Sequence, residues 1–159
     1  IGRLVGSEMC IRDRFMSYIT KEHPQGIMNT KGDFQLFTFE ELACPKTQAH
    51  YFTMAFKTRL VELREKFGKP MFITSGSRSF EHNKNIGGHP RSLHVYDHPA
   101  RDNQVGALAV DVRSNGAQYN YFLIKLALEL GWSVGVAKTF IHIDRRDLIG
   151  LPQSVFGYG

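Results

Sequence analysis

Cysteine is almost missing from this chain, with Cys10 and Cys44 the only two among 159 residues. Two thiols can build neither a multi-bridge disulfide scaffold nor a four-thiolate zinc site. No apolar run approaches the ~20 residues that a membrane-spanning helix needs. Internal repeats and low-complexity segments are absent as well. Acid is in short supply against base, with 15 Asp and Glu facing 20 Lys and Arg, a net charge of +5. That balance favours an anionic partner such as nucleic acid, phospholipid or acidic wall polymer without choosing among them. The basic residues are scattered rather than gathered into a stripe interleaved with aromatics, which argues against nucleic acid. What is present is ordinary for a globular fold: 42% apolar and 22% charged residues, enough for one packed domain and too apolar for a disordered chain.

The segment 1–14, IGRLVGSEMCIRDR, has no clean period and lacks the apolar centre and small-residue cleavage site of a secretory signal. It resembles the translation of a sequencing-adaptor remnant. The expectation is a non-native leader over 1–14 and a single domain over 15–159, with Cys10 set aside.

Further along, Thr38 with Glu40 and Glu41 marks a short helical turn ending before Pro45. Phe52, Ala55, Phe56, Leu60, Leu63 and Phe67 recur every three or four positions, which predicts an amphipathic helix over about 47–67, stopped by Gly68 and Pro70. Met71 to Thr74 reads as a short buried strand. Residues 75–106 are polar and aperiodic, and a loop of that length in a compact domain is usually functional. Ala107 to Arg113 alternates as a strand. Ser114 or Asn115 is expected to cap a second helix running to Leu130 and closed by Gly131. Two strands follow, 132–136 and 139–144, as a hairpin around Ala137 and Lys138. The tail from Leu148 is expected to lie over the core as a loop.

Histidine is the surplus, at seven residues. His82, His89, His94 and His98 fall in the long loop, and His142 falls in the last strand on one face with Phe140 and Asp144. Asp111 occupies the middle of another apolar strand, where a carboxylate is costly to bury unless paired or bound to a metal. A zinc site with Asp111 and His142 on neighbouring strands and a third ligand such as His94 from the loop explains both polar positions. A salt-bridged Asp111 with a hydrogen-bonded core His142 explains them too. The spacing does not decide, since the three positions lie 17 and 31 residues apart with no compact metal signature.

Three ordered blocks go further. Ile73-Thr74-Ser75-Gly76-Ser77-Arg78-Ser79, with Glu81-His82-Asn83 and then Gly87-Gly88-His89-Pro90-Arg91-Ser92-Leu93-His94, resembles the SGYRS…HN…GG…S-x-H block of the zinc D-alanyl-D-alanine carboxypeptidase family. That family includes peptidoglycan endopeptidases and shares its fold with the hedgehog signalling domain. Ala107-Leu108-Ala109-Val110-Asp111 resembles its second block, and Phe140-Ile141-His142-Ile143-Asp144-Arg145-Arg146 its third. The resemblance covers roughly Phe39 to the C-terminus.

It implies an α+β fold, a small antiparallel sheet with helices packed on one side. His94, Asp111 and His142 would be the ligands of Zn2+. Arg78 would sit beside the metal to hold a substrate carboxylate or an oxyanion, and Ser92 would support the first ligand from behind or shape its turn. Two departures stand out. About seven residues separate the first histidine from the aspartate in much of the family, against seventeen here, so Tyr96 to Val105 reads as an insertion that could bring His98 in as a further ligand. Thr139 stands where several members carry an acid, which leaves Asp144 as the candidate for proton transfer or for orienting a ligand.

The expected function is zinc-dependent hydrolysis of peptidoglycan peptides, as carboxypeptidase or endopeptidase, by a monomer with no transmembrane segment. With no signal pattern seen, the expectation is cytoplasmic synthesis and action in periplasm or wall, through a phage pore or from a virion; a truncated N-terminus that has lost a signal is the equal alternative. The alternative is a non-catalytic, hedgehog-like zinc module. A metal-dependent nuclease ranks behind both.

Overall fold

Apolar residues three and four apart turn one stripe of the chain between Thr53 and Gly68 towards the interior. The resulting helix and its neighbours are seen in a computed structural model that describes residues 37, 39–47, 51–101 and 106–158. The leader-like segment 1–14, the cap expected at Thr38 and the far part of the 96–105 insertion lie outside the described residues.

A short helix α1 (Phe39–Leu42) precedes the amphipathic helix α2 (Met54–Phe67). The latter starts later than its periodicity predicts. Thr53 caps it by accepting the Phe56 amide at 3.1 Å, while Phe52 before the cap is engaged in a bridge to Ala107. Gly68 ends it in the left-handed conformation at φ 70°, donating its amide to the Arg64 carbonyl. Strand β1 (Ile73–Ser75) follows, and then the long polar stretch. That stretch is not wholly irregular, because Ser79 caps a six-residue helix α3 (Phe80–Asn85) by accepting the His82 amide.

Strand β2 (Ala109–Arg113) leads to helix α4 (Ala117–Glu129). Neither Ser114 nor Asn115 caps that helix. Its N-cap is Gly116, and the side chain of Asn120 reaches back to accept the Asn115 amide at 3.2 Å instead. Strands β3 (Ser133–Val136) and β4 (Phe140–Asp144) form the expected hairpin. The tail departs from expectation. After a 3-10 turn (Arg146–Ile149) it adds a strand, β5 (Val155–Gly157), rather than covering the core as a loop.

The strands assemble in the order β1-β2-β4-β3-β5, every pair antiparallel except β5, which runs parallel to β3. The fold is α+β, as the resemblance implied. Period-two alternation divides the sheet into two faces. Val110, Val112, Val134, Ile141 and Ile143 join Phe56, Leu60 and Leu63 of α2 and Leu123 and Ala127 of α4 in one core. Trp132, fully buried, meets Phe56 edge-on at 5.5 Å. Burying such side chains contributes about 1.5–3 kcal/mol each. The opposite face carries Asp111, His142 and Asp144 in positions where a soluble sheet would ordinarily show scattered polar groups to water. The pairing register puts Asp111, His142, Gly135 and Phe156 in one row across four strands.

Candidate metal centre and its cleft

Strand pairing sets Asp111 directly opposite His142, so the imidazole and carboxylate project together from adjacent rigid backbones. His142 Nδ1 lies 3.0 Å from Asp111 Oδ1. The third member arrives from the loop. The Arg78 amide donates to the His94 carbonyl at 2.8 Å, and Leu108 donates to Leu93, which ties the loop to the start of β2. His94 Nε2 thereby comes to 3.1 Å from Asp111 Oδ1 and 3.2 Å from His142 Nδ1. All three side chains are buried, and one ligand atom from each falls within 4.8 Å of the others.

The outer hydrogen bonds decide what these atoms can do. His94 Nδ1 is 2.8 Å from the Gly76 carbonyl, an acceptor only, so that nitrogen carries the proton and Nε2 presents a lone pair. His142 Nε2 is 2.8 Å from Asp144 Oδ2, so its Nδ1 presents a lone pair as well. Two imidazole lone pairs and a carboxylate oxygen thus converge with no donor between them. Such a set repels itself unless a proton or a cation fills it, and its composition suits a divalent cation. The ionisation tendencies describe the set filled by a proton instead of a cation. Burial would raise the Asp111 pKa, yet hydrogen bonds and charge from His142 and His94 outweigh burial and hold it well below the usual carboxylate range. Burial pushes the His94 pKa down, with help from Arg78 and His142 and against Asp111. For His142 the burial effect is overcome by Asp111 and Asp144, and its pKa is raised.

Asp144 lies behind His142 rather than beside the three ligand atoms. Burial would raise its pKa, but Arg146 and His142 lower it below the ordinary value. Arg146 grips the carboxylate with Nε at 2.9 Å, Nη2 at 2.7 Å and its backbone amide at 3.1 Å. A carboxylate so fully engaged is a poor proton acceptor. The Asp144 carboxylate, expected either to transfer a proton or to orient a ligand, is held between the His142 ring and the Arg146 guanidinium. Ser92 supports the loop, its hydroxyl accepting the His94 amide at 3.3 Å. Thr139, which replaces the acid of related sequences, faces a separate depression with Arg113 and Lys138 and does not line the cleft. His98 is no further ligand, since its ring nitrogens bond the Pro90 carbonyl and the Ala100 amide.

Arg78 lies beside the candidate ligands, with Nη2 3.8 Å from Asp111 Oδ2. Burial lowers its pKa while Asp111 opposes that shift, and a guanidinium stays charged regardless. Three residues with no role in the sequence reading hold the site together. Ser75 Oγ accepts from Arg78 Nε and Nη2 at 3.2 and 3.0 Å, and Asn83 Oδ1 accepts from Nη1 at 2.9 Å. The third is Arg146. All three stand inside the quoted blocks, so the signal was present without the partner that explains it. Gly88 matters through Asn83, because a Cβ at that position would lie 2.1 Å from Asn83 Oδ1.

These groups open into a cleft of about 790 Å³. Among the described residues, Arg78, Arg91, Arg101 and Arg146 line it against Asp111 and Asp144, and Phe140, Phe156 and Tyr158 wall one side. The electrostatics favour an anionic ligand, more so with a cation in place.

A family model described as Peptidase M15 matches residues 35–144, which is more than half of the chain and takes in His94, Asp111, His142 and Asp144. No curated protein and no solved structure matches the chain.

Proposed function

The chain belongs to the peptidase M15 family of zinc metallopeptidases, and from that premise we propose that it hydrolyses peptide bonds in the cross-linking peptides of bacterial peptidoglycan. The convergence of two imidazole lone pairs and the Asp111 carboxylate beside Arg78, in a cleft richer in arginine than in acid, carries the reading. His94, Asp111 and His142 would hold zinc, which supplies Lewis acidity to polarise a carbonyl and acidify a water. Arg78, braced by Ser75 and Asn83, holds a substrate carboxylate or the oxygen that gains charge. Arg146 and Asp144 fix the His142 ring so that Nδ1 keeps its direction. Water adds to the carbonyl carbon, the C–N bond breaks, and the water's proton leaves with the amine. Stem peptides carrying free carboxylates suit the cationic lining of this cleft. Action in periplasm or wall fits such a substrate.

Digestion of purified peptidoglycan by the zinc-loaded protein, read by mass analysis of the muropeptides, tests the proposal and names the bond cut. Activity is expected to vanish with a chelator and to return with zinc, and to be lost in Asp111→Ala together with bound zinc. Unchanged hydrolysis in chelator would refute it.

A second reading, a non-catalytic zinc module, is favoured by one observation: among the described residues lining the cleft, the acids are Asp111, in the ligand group, and Asp144, already engaged by Arg146. Stoichiometric zinc with no turnover of any muropeptide or D-Ala-D-Ala peptide would select it.

A further inference from the structure

The wall of the cleft formed by β5 lies beyond the residues matched by the family model. Strand β5 is pinned by several bonds: Val134 donates to the Ser154 carbonyl at 3.0 Å, Ser154 to Ser133 Oγ at 2.9 Å, and Tyr158 to the Val136 carbonyl at 3.0 Å. The parallel register carries Phe156 into the row of Asp111 and His142, and Tyr158, two residues on, leaves the same face. Gly135 is the enabling residue. It sits directly across from His142, and a Cβ there would lie 2.4 Å from Phe156 and 2.9 Å from Tyr158. Without that Cβ both rings fold over the imidazole, with centroids 5.6 and 6.2 Å from the His142 ring. Phe140 closes against Tyr158 at 5.2 Å.

A purely structural aromatic cluster would bury its members, yet Tyr158 remains 48% exposed and lines the cleft. Its ring is held by Phe140, His142 and Phe156, and it lines the same cleft as Asp111, Arg78, Asp144 and Arg146. We propose that Tyr158 is a substrate-contacting residue of this cleft, its hydroxyl donating a hydrogen bond to the peptide oxygen that gains negative charge during hydrolysis. The proposal rests on the peptidase reading above. Burial and then Asp111 push the phenol pKa up to about 12, with Arg78 opposing, so the hydroxyl is a donor throughout the neutral range, as an ordinary tyrosine already is. Arg78 and Tyr158 would then address the same oxygen from the loop side and the β5 side, a two-donor arrangement for a developing oxyanion.

Tyr158→Phe removes the hydroxyl and keeps the ring packed on His142 and Phe140. Loss of one such donor is expected to lower kcat by about 10²–10³-fold, with KM and zinc stoichiometry unchanged. Binding of a phosphinate dipeptide, which places an anionic oxygen where the tetrahedral species carries one, should weaken by about 10–100-fold in calorimetry. Equal kcat and equal phosphinate affinity in Tyr158→Phe and the parent protein would overturn the proposal while leaving the peptidase reading intact. Loss of zinc from Tyr158→Phe would also overturn it, by making the residue structural. A parent protein that neither binds the phosphinate nor cleaves any muropeptide would remove the peptidase reading, and the proposal with it.

Discussion

Each imidazole of the metal centre commits one nitrogen to the protein and turns the other towards Asp111. For His142 the committed side is a chain of three residues, His142 to Asp144 to Arg146, all within one stretch of β4 and the turn after it. Arg146 is therefore a positioning residue. Arg146→Ala should release the Asp144 carboxylate, let the His142 ring swing, and weaken zinc binding by about 10–100-fold. Titration against a competing chelator measures the loss, and an unchanged circular dichroism spectrum separates it from unfolding. Asp111 and His142 were legible as polar residues interrupting apolar strands, whereas His94 sits in the aperiodic loop and was reached through the resemblance. Arg146 was not, because its neighbour Arg145 has the same chemistry and only packing separates them. Arg145 lies buried over Trp132, with its Nη1 on the Leu130 carbonyl, whereas Arg146 turns to Asp144.

At the scale of elements, caps and edges account for most differences between expectation and structure. Periodicity extends α2 back to about residue 47, but Thr53 stops it by satisfying the Phe56 amide. Thr53→Ala should cost about 0.5–2 kcal/mol in a denaturant melt, because an orphaned amide at the first turn loses its partner. The β3–β4 hairpin was readable from alternation and from the turn between its strands, whereas the pairing of β2 with β4 was suggested only by a shared metal site. The pairing of β5 was not readable. A three-residue strand that ends on Gly157 and follows Pro152 by three residues has no period to read, and it exists because β3 offers an unpaired edge.

The whole molecule joins three distant segments at one point. The ligands come from the loop, β2 and β4, so a bound cation ties the loop to the sheet and favours only the folded state. Zinc at 100 times its dissociation constant should add about 2.7 kcal/mol to stability. Calorimetry with and without chelator should show a higher Tm for the zinc form, and Asp111→Ala should abolish the difference. Part of the positive charge lies at the cleft, where arginines outnumber acids among the described residues of the lining.

The sequence by itself determined the helices, the central strands and Asp111 and His142 as polar positions in apolar strands, while its motif blocks implied the α+β class and His94 through resemblance. The first group follows from local periodicity and from the high cost of burying a carboxylate without a partner, and both are written along the chain. Only the tertiary structure decided which nitrogen of each histidine faces inward, that Asp144 is held between His142 and Arg146, and that Tyr158 stands over His142. Each of these depends on hydrogen bonds or ring contacts between side chains brought together by strand register, such as Gly135 opposite His142, and one sequence offers no direct sign of such encounters.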